Sequence, residues 1–174
     1  VSYVAGGAAT ALFTALDEGQ QIQASGPYGR FCLHAGDSNQ RYLLIGTGTG
    51  VTPYRAMLPQ LASMMATRGV EIVLLFGART PAELIYSEDF YAFAAAHPGF
   101  RFVPCFSREL PEHPHADVRR GYVQDALLEL SPDGERDIAY LCGNPNMVDA
   151  AFEALKAQGL PVPHIRREKY VSSK

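Results

Sequence analysis

Short, continuous apolar runs alternate with longer stretches of helical character from about residue 41 to the end of the chain. Runs without a polar residue at alternate positions are typical of strands buried on both faces. The pattern predicts strands at residues 42–45, 70–76, 100–106, 138–142 and 163–170. Apolar spacing, prolines at helix starts and a glycine at a helix end predict helices at residues 51–65, 81–96, 122–130 and 145–158. Since strands that alternate with helices are joined by right-handed crossovers, we predict an α/β fold with a five-stranded parallel sheet and helices on both faces.

The first part of the chain has a different pattern, with turn-forming glycines between short β-like segments. Residues 22–27 alternate loosely between apolar and polar, and residues 31–33 form a short apolar run. Gly19 and Gly36 mark turns beside these segments. The change of pattern predicts a division of the chain into residues 1–38 and residues 39–174.

The composition suits one packed domain with a small additional segment. Of the 174 residues, 47% are apolar and 19% are charged, so the chain can bury a core. A net charge of −3 argues against nucleic acid as a partner. Because no apolar run reaches the roughly 18 residues that a membrane span needs, we expect no membrane partner either.

The cysteines and histidines predict no metal site. Cys32, Cys105 and Cys142 form no C-x-x-C pair, and the five histidines lack metal-ligand spacing. An odd, unclustered set of cysteines suits a reducing compartment, so we expect a cytoplasmic protein.

A glycine-rich loop follows the first predicted strand of the parallel sheet. It comprises Gly46, Thr47, Gly48, Thr49, Gly50, Val51, Thr52 and Pro53. Glycines allow a close backbone approach, and the free N–H groups at the start of the next helix attract anions. The spacing G-x-G-x-G therefore favours a pyrophosphate site over an ordinary glycine-rich turn, although it is neither a Walker loop nor the common dinucleotide fingerprint.

Basic and hydroxyl residues follow the second and third predicted strands. Arg79 ends the second strand, where an acidic residue for a ribose hydroxyl is absent, and Ser107 and Arg108 end the third. Arg120 and Tyr122 come after the next loop. Together they favour a site for the 2′-phosphate of NADP, with Tyr122 against adenine, whereas the alternative is a set of solvated surface arginines.

The fourth predicted strand ends in Cys142, Gly143 and Asn144, directly before a helix. Ligands of parallel sheets bind at the carboxyl ends of the strands, which makes a ligand-facing thiol plausible. The alternative is a buried structural cysteine.

Four motifs, in this order along the chain, resemble the ferredoxin–NADP reductase superfamily: residues 26–31 (Gly-Pro-Tyr-Gly-Arg-Phe), 46–53, 142–145 (Cys-Gly-Asn-Pro) and 168–170 (Glu-Lys-Tyr). The resemblance implies that residues 46–53 hold the NADP pyrophosphate and that Ser107 and Arg108 bind its 2′-phosphate. Cys142 matches the cysteine beside the nicotinamide. Glu168 and Tyr170 match the acid and aromatic residue at the flavin, where the tyrosine covers the isoalloxazine ring.

The resemblance also implies an FAD-binding barrel, of which residues 1–38 would be the end. Gly7 and Thr10 lie in a segment that resembles the one binding the FAD pyrophosphate. The main flavin motif, Arg-x-Tyr-Ser/Thr, would lie before Val1. Since the first residue is not Met, we expect a fragment or processed product of a longer reductase, which binds flavin weakly or not at all unless another chain supplies the missing strands.

By this resemblance we expect a flavin-dependent oxidoreductase that passes a hydride from NADPH to FAD, then single electrons to an iron–sulfur or flavodoxin-type acceptor. Two alternatives remain open, an NADH-dependent reductase component of an oxygenase and a flavin-free nucleotide-binding electron-transfer subunit. The basic residues 166–169 suit either an acidic partner or a solvated strand edge.

Overall fold

The computed structural model describes residues 5–26 and 28–170, in two compact units, Val1–Arg30 and Phe31–Lys174. Residues 31–38, which the sequence pattern places with the first segment, thus belong to the unit that carries the sheet.

The first unit contains helix α1 (Ala8–Thr14), which begins after Gly7 and has no buried residue. Its described residues include no strand, so the strand expected at residues 22–27 is wrong where the structure describes it, and Pro27 lies outside the described residues. A strand needs a neighbouring strand to satisfy its backbone groups, and none of the described residues supplies one here. A barrel remnant is therefore not seen.

Residues 31–33 do not form a strand either. Their apolar character has another cause, because they cover the sheet. The Phe31 ring packs edge-on against Tyr140, with centroids 5.7 Å apart, and Leu33 is buried in the same core.

The second unit contains one parallel sheet of six strands in the order β4-β3-β2-β1-β5-β6. The strands are β1 (Arg41–Thr47), β2 (Glu71–Ala78), β3 (Phe100–Phe106), β4 (Arg119–Arg120), β5 (Asp137–Gly143) and β6 (Ile165–Lys169). The predicted parallel α/β architecture is confirmed, but the predicted number of five strands is wrong. The missed strand is β4, whose two arginines give no apolar run.

Four helices cover the sheet: α2 (Thr52–Arg68), α3 (Ser87–Ala96), α4 (Val123–Glu129) and α5 (Pro145–Ala157). Short 3₁₀ turns precede α2 at Gly48–Val51, precede α3 at Pro81–Glu83, and precede β6 at Val162–His164. The helix predicted over residues 81–96 is interrupted, because Leu84 is not helical and Tyr86 takes a positive φ of 57°.

Alternate residues of the central strands enter two separate cores. Leu43, Ile45 and Leu141 pack with α4 and α5, whereas Leu44 and Tyr140 pack with α2 and α3. Because both faces are covered, the edge formed by the carboxyl ends of the strands is where the chain can present polar groups to a ligand.

Candidate functional site

The predicted site residues of the second unit follow the strand order along one edge of the sheet. Arg120 ends β4, Ser107 follows β3, and Arg79 follows β2. The glycine-rich loop follows β1 at the centre of the sheet, and Cys142 lies at the end of β5. The edge thus places basic groups on one flank, backbone amides in the middle and a thiol on the other flank.

The glycines of the central loop are required by close packing at one position. A β-carbon on Gly50 would lie 2.3 Å from the Cys142 carbonyl oxygen and 2.5 Å from the Gly143 Cα. Gly143 has a φ of +131°, and a β-carbon added to it would lie 2.6 Å from the Thr47 carbonyl oxygen. The loop after β1 is therefore seated directly on the end of β5.

Gly48 is different, since it has a φ of +54° and open space in the direction of a β-carbon. Gly48, Thr49 and Thr52 are exposed, whereas Gly50 and Val51 are buried. The exposed residues form the rim of the loop, where a ligand can approach the backbone.

Helix α2 begins at this loop without a side-chain cap or an acidic residue in its first turn. Pro53 occupies the first turn, where a missing N–H costs no helical hydrogen bond. The 3₁₀ turn Gly48–Val51 runs directly into α2, and the Thr52 N–H already donates to the Thr49 carbonyl. The start of this turn, after Thr47, also lacks a side-chain cap, so it leaves N–H donors and a positive dipole end for an anion. By contrast, the Asn144 side chain caps α5, accepting from the backbone N–H groups of Asn146 (2.9 Å) and Met147 (3.4 Å).

Two side chains fasten β1 to β5 beneath the loop. The Thr47 hydroxyl oxygen accepts a hydrogen bond from the Asn144 backbone N–H at 3.1 Å. The hydroxyl of Tyr54 lies 2.9 Å from the Ile45 carbonyl oxygen and 2.8 Å from that of Tyr140. Tyr54 is fully buried, and burial raises the pKa of its hydroxyl well above its ordinary value, so it remains a neutral donor.

Backbone hydrogen bonds bring the ends of β2 and β3 together. The Ser107 N–H donates to the Ala78 carbonyl at 3.1 Å, and the Arg108 N–H donates to the Arg79 carbonyl at 3.0 Å. Ser107, Arg108 and Arg79 are therefore neighbours, as the predicted 2′-phosphate site requires.

The start of α4 joins the same cluster. Arg120 pairs in register with Phe106, and the Gly121 N–H donates to the Phe106 carbonyl at 2.9 Å. Tyr122, the residue before α4, is 62% exposed, so its ring is available for stacking.

A carboxylate that the sequence analysis missed lies within this cluster. Glu83, in the 3₁₀ turn after β2, accepts from the backbone N–H of Arg79 at 3.2 Å and from its Nε at 3.0 Å. Its other oxygen lies 2.5 Å from Arg79 Nη2. The hydrogen bonds from Arg79 hold the pKa of Glu83 below its ordinary value, and the charge of Arg108 adds to the shift. The available signal was an acid four residues after Arg79, the i+4 spacing at which opposite charges pair.

Cys142 lies at the other flank of the edge, fully buried beside the two residues expected at the flavin. Glu168 pairs with it in register on β6, and the Tyr170 N–H donates to the Gly143 carbonyl at 2.9 Å. Burial raises the pKa of the Cys142 thiol to about 11, opposed by a hydrogen bond from the Tyr170 hydroxyl. The thiol is thus neutral near pH 7, and Tyr170 beside it is 37% exposed.

The basic residues of β6 all contact neighbouring side chains, although the side chains of Arg167 and Lys169 stay 44% and 38% exposed. Arg166 pairs with Asp37, and Lys169 pairs with Asp149 at 2.7 Å. The Arg167 guanidinium lies 3.9 Å from the centroid of the Phe152 ring. This arrangement favours the interpretation of a structural strand edge over a surface for an acidic partner.

Gly7 and Thr10 lie at the start of α1 in the first unit, where Gly7 precedes the helix in extended conformation. Within residues 5–26 and 28–170, no group of three or more His, Cys, Asp or Glu residues could hold a metal ion. Nor is any helix in those ranges long and apolar enough to cross a membrane.

Residues 44–153 match the family model described as the oxidoreductase NAD-binding domain. The chain is also 34% identical to ferredoxin–NADP reductase B of Sorangium cellulosum, over 98% of this chain and 70% of that protein. The chain belongs to the ferredoxin–NADP reductase superfamily. The matched residues include the glycine-rich loop, Cys142 and the arginine cluster, which consists of Arg79, Arg108 and Arg120.

Other members of the superfamily show the same likeness. The chain is 37% identical to the reductase subunit of an aromatic O-demethylase from an Amycolatopsis species, over 98% of this chain and 50% of the relative. The crystal structure of an Amycolatopsis cytochrome P450 reductase superposes with a TM-score of 0.81 at 36% identity, over 97% of this chain and 50% of that one. The chain therefore spans about half the length of these two reductases.

Proposed function

We propose that this chain is the nucleotide-binding part of a flavin-dependent reductase that takes a hydride from NADPH and delivers single electrons to an iron–sulfur or flavodoxin-type acceptor. The observation that carries the proposal is the order of groups along the sheet edge. Arginines, backbone amides and a buried thiol follow one another in the order in which an extended dinucleotide presents its 2′-phosphate, pyrophosphate and nicotinamide. The edge from β3 to β5 spans three strand spacings, roughly 14–15 Å, which suits an extended dinucleotide.

The centre of the edge would bind the pyrophosphate. The uncapped start of the 3₁₀ turn Gly48–Val51 would provide N–H donors, and Thr49 and Thr52 lie on the exposed rim with their hydroxyls. Gly48 leaves room for the ligand, while Gly50 and Gly143 keep the loop seated on β5.

The flank formed by β3 and β4 would bind the adenosine end. Among the described residues the guanidinium groups of Arg108 and Arg120 form no ion pair, so both can donate hydrogen bonds to a phosphate. Ser107 adds a hydroxyl, and the exposed ring of Tyr122 offers a stacking surface for adenine.

The opposite flank would place the nicotinamide beside Cys142. Because the backbone of Tyr170 is bonded to Gly143 next to Cys142, the nicotinamide would have to displace the Tyr170 ring or slip beside it to reach the thiol. Cys142 would then contribute packing and orientation rather than a nucleophile, since burial keeps its thiol protonated.

The residues at this flank also fit a flavin. Tyr170 offers a partly exposed aromatic face, and Glu168 is a half-buried carboxylate one position from Lys169 on β6. In the first unit, Gly7 and Thr10 at the start of α1 would contact the FAD pyrophosphate. When bound, FAD would supply the chemistry that converts a two-electron hydride donor into single-electron steps.

Glu83 favours a second candidate, an NADH-dependent reductase component of an oxygenase. It neutralises Arg79 within the arginine cluster and brings a carboxylate, the group that commonly accepts ribose hydroxyls in NAD sites.

Calorimetric titration of the purified chain with NADP⁺ and NAD⁺ tests the proposal. We expect saturable binding, with NADP⁺ binding more tightly, and competition by 2′-phospho-AMP. Tighter binding of NAD⁺ would favour the second candidate. The absence of binding for both nucleotides would refute both candidates.

Titration with FAD, followed by the quenching of flavin fluorescence, tests the cofactor separately. Weak, saturable quenching supports a flavin site that this chain completes only in part. Nucleotide binding without any quenching would fit either a flavin-free electron-transfer subunit or a part of a reductase whose flavin site needs further strands of the barrel.

A further inference from the structure

We propose that Glu83 is a specificity-determining residue that shifts the coenzyme preference of this edge away from NADPH and towards NADH. The inference rests on the proposed nucleotide site. Glu83 lies outside the four superfamily motifs found in the sequence. The inference depends on where Glu83 lies relative to the arginines.

The position of Glu83 is fixed by three contacts with a single partner. Its carboxylate accepts from the backbone N–H, Nε and Nη2 of Arg79. The Arg79 carbonyl in turn accepts from the backbone N–H groups of Arg108 (3.0 Å) and Glu109 (3.1 Å). Arg79 therefore joins the acid to the segment that begins with Ser107 and Arg108.

These contacts place a negative charge beside the groups that would receive a 2′-phosphate. Arg79 is 60% exposed and at the correct edge, yet its Nε and Nη2 are already paired with the Glu83 carboxylate. Arg108 lies near enough for its charge to act on the Glu83 carboxylate. A phosphate entering the cluster must compete with the carboxylate for Arg79 and also experiences its repulsion.

The same carboxylate has a different effect on a coenzyme without the phosphate. A ribose 2′-hydroxyl can donate to a carboxylate oxygen, so Glu83 does not oppose NADH. Since one group disfavours NADPH and tolerates NADH, it changes the ratio of the two affinities without changing the pyrophosphate site.

The test compares dissociation constants of the full chain for NADPH and NADH in about 50 mM salt, where electrostatic effects are weakly screened. Glu83→Gln should raise the ratio Kd(NADH)/Kd(NADPH) at least about fivefold, mainly through tighter NADPH binding. Glu83→Ala, which removes the same charge, should do likewise. If the glutamine variant does not fold, as judged by circular dichroism, the alanine variant decides.

Two further variants distinguish the effect of a charge at position 83 from the effect of the net charge of the chain. Glu83→Asp keeps the carboxylate and should stay within about twofold of the wild-type ratio. Glu153→Gln removes an exposed acid paired with Lys156 on α5 and should leave the ratio unchanged. In about 500 mM salt the effect of Glu83→Gln should shrink, because screening weakens exposed charges.

The outcomes distinguish this inference from the proposed function. An unchanged ratio in both Glu83→Gln and Glu83→Ala, with both coenzymes bound, overturns the role of Glu83 alone. An equal change in Glu153→Gln would also overturn it. Failure of the wild-type chain to bind either coenzyme would overturn the proposed function itself.

Discussion

Arg166 donates hydrogen bonds to both carboxylate oxygens of Asp37, each at 2.5 Å, across 129 positions of the sequence. The Tyr140 hydroxyl also donates to Asp37, at 2.9 Å. The Asp37 side chain is only 7% exposed, so the pair is largely removed from water. It joins the segment before β1 to β6, two positions before Glu168.

Asp37→Asn should therefore destabilise the chain. The substitution leaves the Arg166 guanidinium without its counter-charge in a partly buried position. We expect a loss of about 2 kcal/mol in the free energy of unfolding at pH 7, less than for a fully buried pair because Arg166 keeps some exposure. Urea denaturation measures it. Asp117→Asn, in a pair with Arg101 where both side chains are 42% exposed, is the control and should cost less than about 1 kcal/mol.

The contribution of Asp37 should depend on pH in a defined direction. Burial alone would raise the pKa of Asp37, but the hydrogen bonds from Arg166 and Tyr140 and the charge of Arg166 outweigh it, so the pKa is lowered. A lowered pKa in the folded state gives stability that is present above the unfolded pKa of about 3.9 and is lost as pH falls through the folded pKa. The difference in unfolding free energy between wild type and Asp37→Asn should persist at pH 5 and shrink below about pH 4. A difference that grows as the pH falls below about 4 would contradict this assignment.

Gly50→Ala should separate the central loop from β5. The new β-carbon would lie 2.3 Å from the Cys142 carbonyl oxygen, a contact with backbone that no side-chain rotation relieves. We expect a melting temperature several degrees lower and at least about tenfold weaker NADP⁺ binding, measured by calorimetry. Gly36→Ala, with open space at its β-carbon, is the matched control and should retain binding. Normal binding by Gly50→Ala would show that the loop need not rest on β5.

The three cysteines should differ sharply in reactivity. Cys32 is exposed, whereas Cys105 and Cys142 are buried, and burial raises their pKa values to about 12 and about 11. At pH 8 a thiol of pKa 11 is ionised to about one part in a thousand, and only the thiolate is nucleophilic. Iodoacetamide should modify Cys32 first, as read by peptide mass spectrometry, and the urea-denatured chain should react at all three. Equal rates at Cys32 and Cys142 in the folded chain would show that the reagent reaches the Cys142 thiol at the end of β5 without unfolding.

The sequence predicted the central architecture because buried parallel strands have continuous apolar runs. β1, β2, β3 and β5 all carry such runs, and their loops therefore fall at one edge as expected. The two arginines of β4 pair with β3 through only two residues, a signal too short for any periodicity. At residues 31–33 a strand was predicted that the structure does not contain. Phe31 is apolar there because its ring packs against Tyr140.

The candidate site was predictable where a motif is continuous and not where distant groups meet. The loop from Gly46 to Pro53 is visible as a run of letters, whereas the pairing of Asp37 with Arg166 depends on tertiary structure. Glu83 was overlooked for a related reason. An acid was sought at the end of β2 itself, but a 3₁₀ turn folds Glu83 back on to Arg79.

The central place of β1 in the sheet has a consequence for how such a chain can diversify. β2, β3 and β4 lie to one side of it, and β5 and β6 lie to the other. In the proposed site, a substitution that alters the coenzyme preference at Arg79 is thus separated by an entire strand from the thiol at Cys142. Descendants of one ancestral sequence could therefore exchange the electron donor that we propose while the residues around Cys142 are inherited intact.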